Sequence, residues 1–417
     1  MSRSPRVQSG RRSPSFDPPP PDTAAPPTPT APSPGRTGTT GSDLVRHGWT
    51  DGDEAGFAPR RDAGLAPARV LRRDRGRCEL ITEHGPVSAE IGRALPAGSD
   101  LSPCTGDWVA VGASVPTPSI PSTGAAHLVV AELLPRRSAL VRSSASRRSD
   151  GQVLAANIDL VVIVAALSAA PDLARLERLL ALAWESGAQP LIVLTKADLV
   201  PREDTERLGP STLDAVAAAA PGTDILTVCA LDGTGMDALR AALAGTSPPG
   251  RSAVLVGPSG VGKSTLVNAL LGEERLAVGR VRAADGKGRH TTVRRELIAL
   301  SSGGILIDTP GIRGVGLWDA EQGLDATFTE IADLAVACRY ADCAHDTEPG
   351  CAVLAAVEDG SLPERRLRSY RKLRRENAWI QSRGDARLAA EERARWKAIR
   401  REQRRLYTGR ERQGRQR

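Results

Sequence analysis

No run of about eighteen apolar residues occurs in the 417-residue chain, so a membrane-spanning helix is excluded and no membrane partner is expected. The first residues are arginine, serine and proline, not a short apolar stretch before a cleavage site; a cytoplasmic protein is expected. Cysteine is scarce, at six residues, and three of them crowd beside a histidine near residue 345. That spacing suits a metal ion better than disulfides in a reducing compartment, whereas Cys78, Cys104 and Cys229 look incidental by spacing. From Glu364 onward there are 20 Lys/Arg against 7 Asp/Glu, so the overall charge of +7 belongs to the C-terminal tail and the preceding residues are net acidic.

Residues 1–65 are rich in Pro, Ser, Thr, Gly and Arg and are expected to be disordered, because they offer too little apolar surface to offset ordering entropy. Over 66–137 short β-type runs alternate with turn residues, including GDWVAVG at Gly106–Gly112, and predict a small antiparallel barrel. By pattern alone this could be any small β-module. Residues 138–149 are expected to be a basic linker. Over 150–318, apolar strands (IDLVVIVAAL, PLIVLTKAD, AVLVGPSG, ILIDTPG) alternate with amphipathic helices, the signature of a buried parallel sheet in an α/β nucleotide domain. A small metal-binding module over 319–375 and a basic helical tail over 376–417 complete the division.

The most specific motif is Gly257-Pro258-Ser259-Gly260-Val261-Gly262-Lys263-Ser264, followed by Thr265, which leaves an apolar strand and opens a helix. Glycines let backbone N–H groups turn inward around a β-phosphate, and the helix N-terminus adds positive potential. Lys263 bridges β- and γ-oxygens, and Ser264 supplies a magnesium ligand. Thr195-Lys196-Ala197-Asp198 ends another apolar strand. Asp198 can accept from guanine N1–H and its exocyclic amine, whereas adenine would leave the carboxylate unpaired. Lys196 would lie along base and sugar, and Cys229-Ala230 could offer a backbone N–H to the guanine oxygen. Guanine nucleotide sites usually carry Asn where Thr195 stands; the shorter hydroxyl is expected to lose a contact to the phosphate loop, at a cost in affinity more than in base choice.

Asp308-Thr309-Pro310-Gly311 follows a strand, where Asp308 would hold magnesium through water and Gly311 would feel a γ-phosphate. Ile312 occupies the place of the water-orienting glutamine found in many small GTPases. His290, in Lys287-Gly288-Arg289-His290-Thr291-Thr292, is the candidate to replace it, with Thr291 or Thr292 reaching magnesium; an ordinary exposed loop histidine is the competing reading. The guanine-reading elements precede the phosphate loop, so the domain is circularly permuted, which chain ends lying close together permit. Cys338-x4-Cys343-x-His345-x5-Cys351 completes a tetrahedral Cys3His set with no open position, which predicts one structural Zn2+ per chain. The arginine-dense tail with scattered Trp and Tyr suits RNA phosphates and stacking, or is simply a solvated charged helix.

With GDWV, LPRRSALVR, QVLAANIDLVVIV, TKAD, GPSGVGKST, GRHTT, DTPG and CRYADCAHDTEPGCAV in hand, the chain resembles the small ribosomal subunit biogenesis GTPase family, also called ribosome small-subunit-dependent GTPase A, over roughly residues 66–375. The resemblance implies an OB-fold, a permuted GTPase domain and a zinc domain that clamp the maturing 30S subunit and its 16S rRNA. It also implies GTP hydrolysis to GDP, stimulated by the ribosome and coupled to release, with His290 as the catalytic histidine. A monomer is the default. Thr195, Cys229 where serine is common, Val293 ending a run often written as three threonines, and the long proline-rich N-terminus depart from the family pattern. A binding module that uses GTP only to order itself, and an ATP-dependent RNA remodeller, are the competing classes.

Overall fold

The computed structural model describes residues 43–92, 95, 102–113, 127–143, 151–168, 170–199, 209–246, 250–275, 295–308 and 320–380. Two helices, α1 (Asp43–Arg46) and α2 (Asp51–Asp62), fall within the segment expected to be disordered, so that expectation is corrected for residues 43–65. The cause is legible locally. Thr50 caps α2 by accepting from the Asp53 N–H, and the Asp53 carboxylate accepts from the Thr50 N–H, a closed capping box. Acids occupy the first turn and Arg60 and Arg61 the last, as the helix dipole favours. Leu44, Trp49 and Phe57 are then buried against Trp108 and Ala110 of the barrel.

The barrel closes in the order β1-β2-β3-β5-β4 from β1 (Ala66–Asp74), β2 (Arg77–Thr82), β3 (Gly85–Ile91), β4 (Trp108–Ala113) and β5 (Leu128–Leu133). It is not wholly antiparallel as expected: β3 and β5 run parallel, and this order with that one parallel pair is OB-like. Ala68, Val70, Cys78, Leu80, Ala89, Val109, Val111 and Val130 fill the interior. Small side chains suffice because five strands enclose little space.

The supposed linker is also corrected. β6 (Ala139–Ser143) pairs antiparallel with β7 (Gly151–Ala156), a ribbon beside the barrel. The nucleotide domain follows as a six-stranded sheet in the order β10-β9-β8-β11-β13-β12, from β8 (Leu160–Ala166), β9 (Gln189–Thr195), β10 (Asp224–Thr227), β11 (Ser252–Val256), β12 (Glu296–Ala299) and β13 (Ile305–Asp308). All pairings are parallel except the edge strand β12. Helices α3 (Leu173–Glu185) and α4 (Gly209–Ala219) cover one face; α5 (Met236–Ala244) and α6 (Lys263–Leu271) cover the other, giving two apolar layers. Double coverage explains why β8, β9 and β11 are nearly continuous runs of Val, Ile and Leu.

The C-terminal module packs α7 (Glu321–Thr327), α8 (Thr329–Ala335), α9 (Ala352–Glu358) and α10 (364–380) onto the α3 face. α10 runs unbroken across the boundary expected at 375, so that division is withdrawn; 381–417 lie outside the described residues.

Two buried arginines hold the modules together. Arg69 of β1, fully buried, donates to the carbonyls of Gly106 and Asn157, to Ser252 Oγ at the start of β11, and to the His47 carbonyl; it also lies over the Trp108 ring. Burial pushes its guanidinium down to about 10. Arg366 of α10 reaches Glu177 of α3 (2.9 Å), Glu330, and the carbonyls of Ala219 and Thr327. Both partners of the Arg366–Glu177 pair are essentially excluded from solvent, and Arg365 and Ser369 supply further donors to the same carboxylate. Among the described residues no helix is long and apolar enough to cross a membrane.

Candidate functional site

Strand β11, buried along its length, delivers the chain at the carboxyl edge of the sheet into the loop 257–262. Gly257 has φ 147°, and a Cβ there would stand 2.3 Å from the Val164 carbonyl oxygen of β8, so only glycine permits the turn. Gly262 ends the loop in the left-handed region, and α6 begins at Lys263 with Ser264 and Thr265 in its first turn. Lys263 Nζ donates to the carbonyls of Gly257 (2.9 Å) and Pro258 (2.6 Å), so the ammonium lies across the loop that it closes.

The TKAD segment arrives two strands away, at the end of β9. The Thr195 hydroxyl is buried and bonds the Val261 carbonyl of the phosphate loop (2.5 Å) and the Ala165 carbonyl of β8 (3.2 Å). The expected loss of a loop contact is therefore overturned: threonine is shorter than asparagine, yet the loop comes close enough for its hydroxyl. Lys196 takes a positive φ of 60°, turning the chain into the short 3-10 helix Ala197–Leu199 that carries Asp198. Cys229 Sγ lies 3.3 Å from Asp198 Oδ1, so the cysteine that spacing left incidental touches the candidate base-reading carboxylate. Burial pushes the Cys229 thiol pKa up, keeping it a neutral donor beside that carboxylate. The backbone N–H of Cys229 is donated to the Thr234 carbonyl (2.9 Å), whereas Ala230 follows it at the same sheet edge.

Asp308 ends β13, next to β11, and its carboxyl pKa is raised, first by burial and then by Glu296, which faces it across the β12–β13 pair; Arg275 and Lys263 oppose the shift. Arg275 is itself paired with Glu296 (2.9 Å). His290, Thr291, Thr292 and Gly311 lie outside the described residues.

Well away in sequence, Cys338, Cys343, His345 and Cys351 bring three Sγ atoms and an imidazole nitrogen within 4.8 Å of one another. Cys338 Sγ to Cys351 Sγ is 3.8 Å, and His345 Nδ1 is 3.6 and 3.5 Å from Cys338 and Cys351 Sγ. Metal–sulfur bonds of about 2.3 Å and metal–nitrogen bonds of about 2.0 Å at tetrahedral angles require separations of roughly 3.8 and 3.5 Å. The residues fit a four-coordinate ion such as zinc. The surrounding shell is built for it: Glu348 accepts from the N–H groups of Ala344, Asp346 and Thr347, holding its carboxyl down to about 2, and Arg371 of α10 donates to the His345 carbonyl.

The structure thus places loop 257–262 and the TKAD turn at the ends of β11 and β9, and gathers the Cys3His residues, whereas sequence reasoning did not single out Arg69, Glu177 or Arg366. An isolated arginine in a β-run carries no signal of which carbonyls it will meet after folding.

Phosphate loop, DTPG aspartate and a base-reading strand that precedes both in sequence, on a sheet with one antiparallel edge, define a circularly permuted GTPase. The solved structure of YjeQ from Thermotoga maritima superposes with a TM-score of 0.53 at 24% identity, covering 74% of this chain and 97% of that one. That of YloQ, described as a circularly permuted GTPase, gives 0.51 at 23% identity, over 77% and 96%. Residues 133–318 match the family model described as RsgA GTPase. The chain is 53% identical over 356 residues (85% of this chain, 92% of the relative) to the small ribosomal subunit biogenesis GTPase RsgA of Streptomyces coelicolor. It is 52% identical over 87% of its length, and 94% of the relative, to the protein of that name from Streptomyces avermitilis. The chain belongs to the RsgA GTPase family, whose members are GTP hydrolases.

Proposed function

We propose that this chain binds the small ribosomal subunit and its 16S rRNA during late 30S maturation, hydrolyses GTP to GDP and phosphate when the subunit stimulates it, and is released on hydrolysis. The nucleotide half rests above all on one contact, the Thr195 hydroxyl on the Val261 carbonyl, which ties the base-reading strand to the phosphate loop. The ribosomal half is supported by the names of the relatives.

In this reading Asp198 accepts the guanine N1–H and amine, Lys196 lies along base and sugar, Ala197 continues the turn, and Ala230 gives its N–H to the guanine oxygen, since that of Cys229 is engaged. The N–H groups of 257–262 cradle the phosphates, and Lys263 exchanges its loop carbonyls for β- and γ-oxygens. Ser264, Thr291 or Thr292, and Asp308 through water would hold Mg2+, which supplies charge neutralisation on the phosphoryl oxygens. Gly311 responds to the γ-phosphate, and His290 orients the attacking water that Ile312 cannot. One Zn2+ on Cys338, Cys343, His345 and Cys351 serves structure alone. The chain acts as a monomer in the cytoplasm.

The test is GTP hydrolysis by wild type and His290→Ala, with and without purified 30S subunits at one fixed salt concentration. Strong stimulation lost in the variant is expected; equal rates with and without subunits would reject a ribosome-triggered GTPase.

A further inference from the structure

A cavity of about 270 Å3, several times the share of one water molecule, is lined by α7, α10, the loop carrying Tyr340 and two residues of the metal cluster, Cys343 and His345. Glu321 and Asp325, one turn apart on α7, form one wall. Tyr370, Arg374 and Asn377 rise from one face of α10, and Tyr340 stands at the rim, 42% exposed, with the Arg339 guanidinium over its ring at 5.5 Å. Tyr370 is held edge-on against Phe328 and tilted against His345, so its ring is fixed by packing. Asn377 is buried, its Oδ1 taken by the Ala320 N–H at 2.9 Å.

The chemistry of the walls narrows the occupant. Two carboxylates repel a bare anion, while Arg374 offers one guanidinium in the same lining that can pair with a phosphate. Two phenol rings favour a flat π-system over an aliphatic chain. What satisfies all of these at once is a planar heterocycle with amine donors on one edge and a phosphate attached to the other side. α10 supplies the phosphate partners, since 364–380 hold seven Lys/Arg against two Glu. Stacking on a rim tyrosine and hydrogen bonds to the exposed edge are how unpaired RNA bases are gripped.

We propose that this cavity takes a single unpaired nucleobase of RNA, stacked on Tyr340, its amine edge toward Glu321 and Asp325 and its phosphate toward Arg374. Adenine, cytosine and guanine each offer an exocyclic amine to the two acids, whereas uracil offers only its single N3–H, so the slot favours the amine-bearing bases over uracil. The proposal rests on the reading that this protein's partner is ribosomal RNA, but it adds a site and a base preference to it.

Fluorescence anisotropy of full-length protein with labelled rA8, rC8 and rU8 tests it, with zinc content measured for every variant and co-sedimentation with 30S subunits in parallel. Wild type is expected to bind rA8 and rC8 more tightly than rU8. Tyr340→Ala should weaken rA8 and rC8 by roughly 5- to 100-fold. Asp325→Asn should erase the preference, and both variants should associate less with 30S subunits. Unchanged affinities in zinc-replete variants, or equal binding of all three sequences by wild type, overturn the slot. Irradiation of wild type with an oligonucleotide carrying 5-iodocytidine gives a reading that needs no variant: an adduct on Tyr340 or Tyr370 is expected, and adducts elsewhere alone overturn it. Wild type that binds the oligonucleotides but does not sediment with 30S subunits would instead reject the ribosomal partner and, with it, the ribosomal source of the base.

Discussion

Thr195 shows what a single hydroxyl does in this site. It is buried and bonds two carbonyls on different elements, one of them in the phosphate loop. Thr195→Val keeps the shape and removes the donor, leaving the Val261 carbonyl unsatisfied, which costs about 1–3 kcal/mol. Because the bond fixes the loop against the base-reading strand, we expect GTP and GDP affinity to fall by roughly tenfold, with discrimination against ATP retained through Asp198. Competition binding with all three nucleotides checks this; a loss of base choice would move the specificity role from Asp198 to Thr195. Asp308 carries a second prediction at this scale. Its carboxyl is raised chiefly by burial, so ionisation works against the fold: the protonated form is favoured as pH falls, and above its folded-state pKa the charge costs stability. Asp308→Asn should therefore raise the thermal midpoint at neutral pH while abolishing magnesium-dependent hydrolysis. A midpoint that falls would show the carboxylate to be structural. In wild type, magnesium-dependent nucleotide binding should fade with acidification at a higher pH than an ordinary aspartate would give. The motif residues were legible because their spacing is itself the chemistry; the hydrogen bond of Thr195 was not, because it depends on how near the loop comes.

At the scale of elements, strands and helices of the nucleotide domain followed from apolar runs and amphipathic spacing, since burial on both faces writes itself into β8, β9 and β11. Helix α2 did not, because its only large apolar residue is Phe57 and the proline-rich surroundings outweighed it; the Thr50-x-x-Asp53 box was the signal to read. The strand β6 was hidden among Arg136 and Arg137 before it and its own Arg142, which made the segment read as a basic linker. The contact between α3 and α10 was invisible for a different reason, as 189 residues separate Glu177 from Arg366. Arg366→Met removes the guanidinium shared by two carboxylates, the buried Glu177 and the partly exposed Glu330, each of which then loses a partner. The expected cost is about 3 kcal/mol in chemical denaturation, with proteolysis appearing first in the C-terminal module. A loss below about 1 kcal/mol would mean that Arg365 and Ser369 satisfy Glu177 unaided.

Across the whole molecule, the metal cluster and the nucleotide site draw on two apolar layers that share one sheet. Cys343 and Cys351 belong to the layer that includes α3 and alternate side chains of β8 and β11, whereas the layer formed by the other side chains of β8 and β11 with α5 and α6 contains none of the four ligands. The ligands also hold local structure: Cys351 Sγ caps α9 by accepting from the Leu354 N–H, and the His345 carbonyl receives Arg371 of α10. Removing the metal leaves three thiols and an imidazole crowded within 4.8 Å, with no tetrahedral centre to hold the loop. A module this small derives much of its folding energy from such an ion, on the order of 10 kcal/mol in isolated zinc modules. Chelator treatment, or Cys351→Ser, should therefore split the thermal unfolding into two transitions. The earlier one should report α8 to α10, and the later one should still be raised by added GDP. Guanine nucleotide affinity should change less than threefold, while association with 30S subunits should be lost. If chelation instead abolished nucleotide binding together with the first transition, the two layers would be one cooperative unit, and the Arg366–Glu177 seam would be the path that joins them.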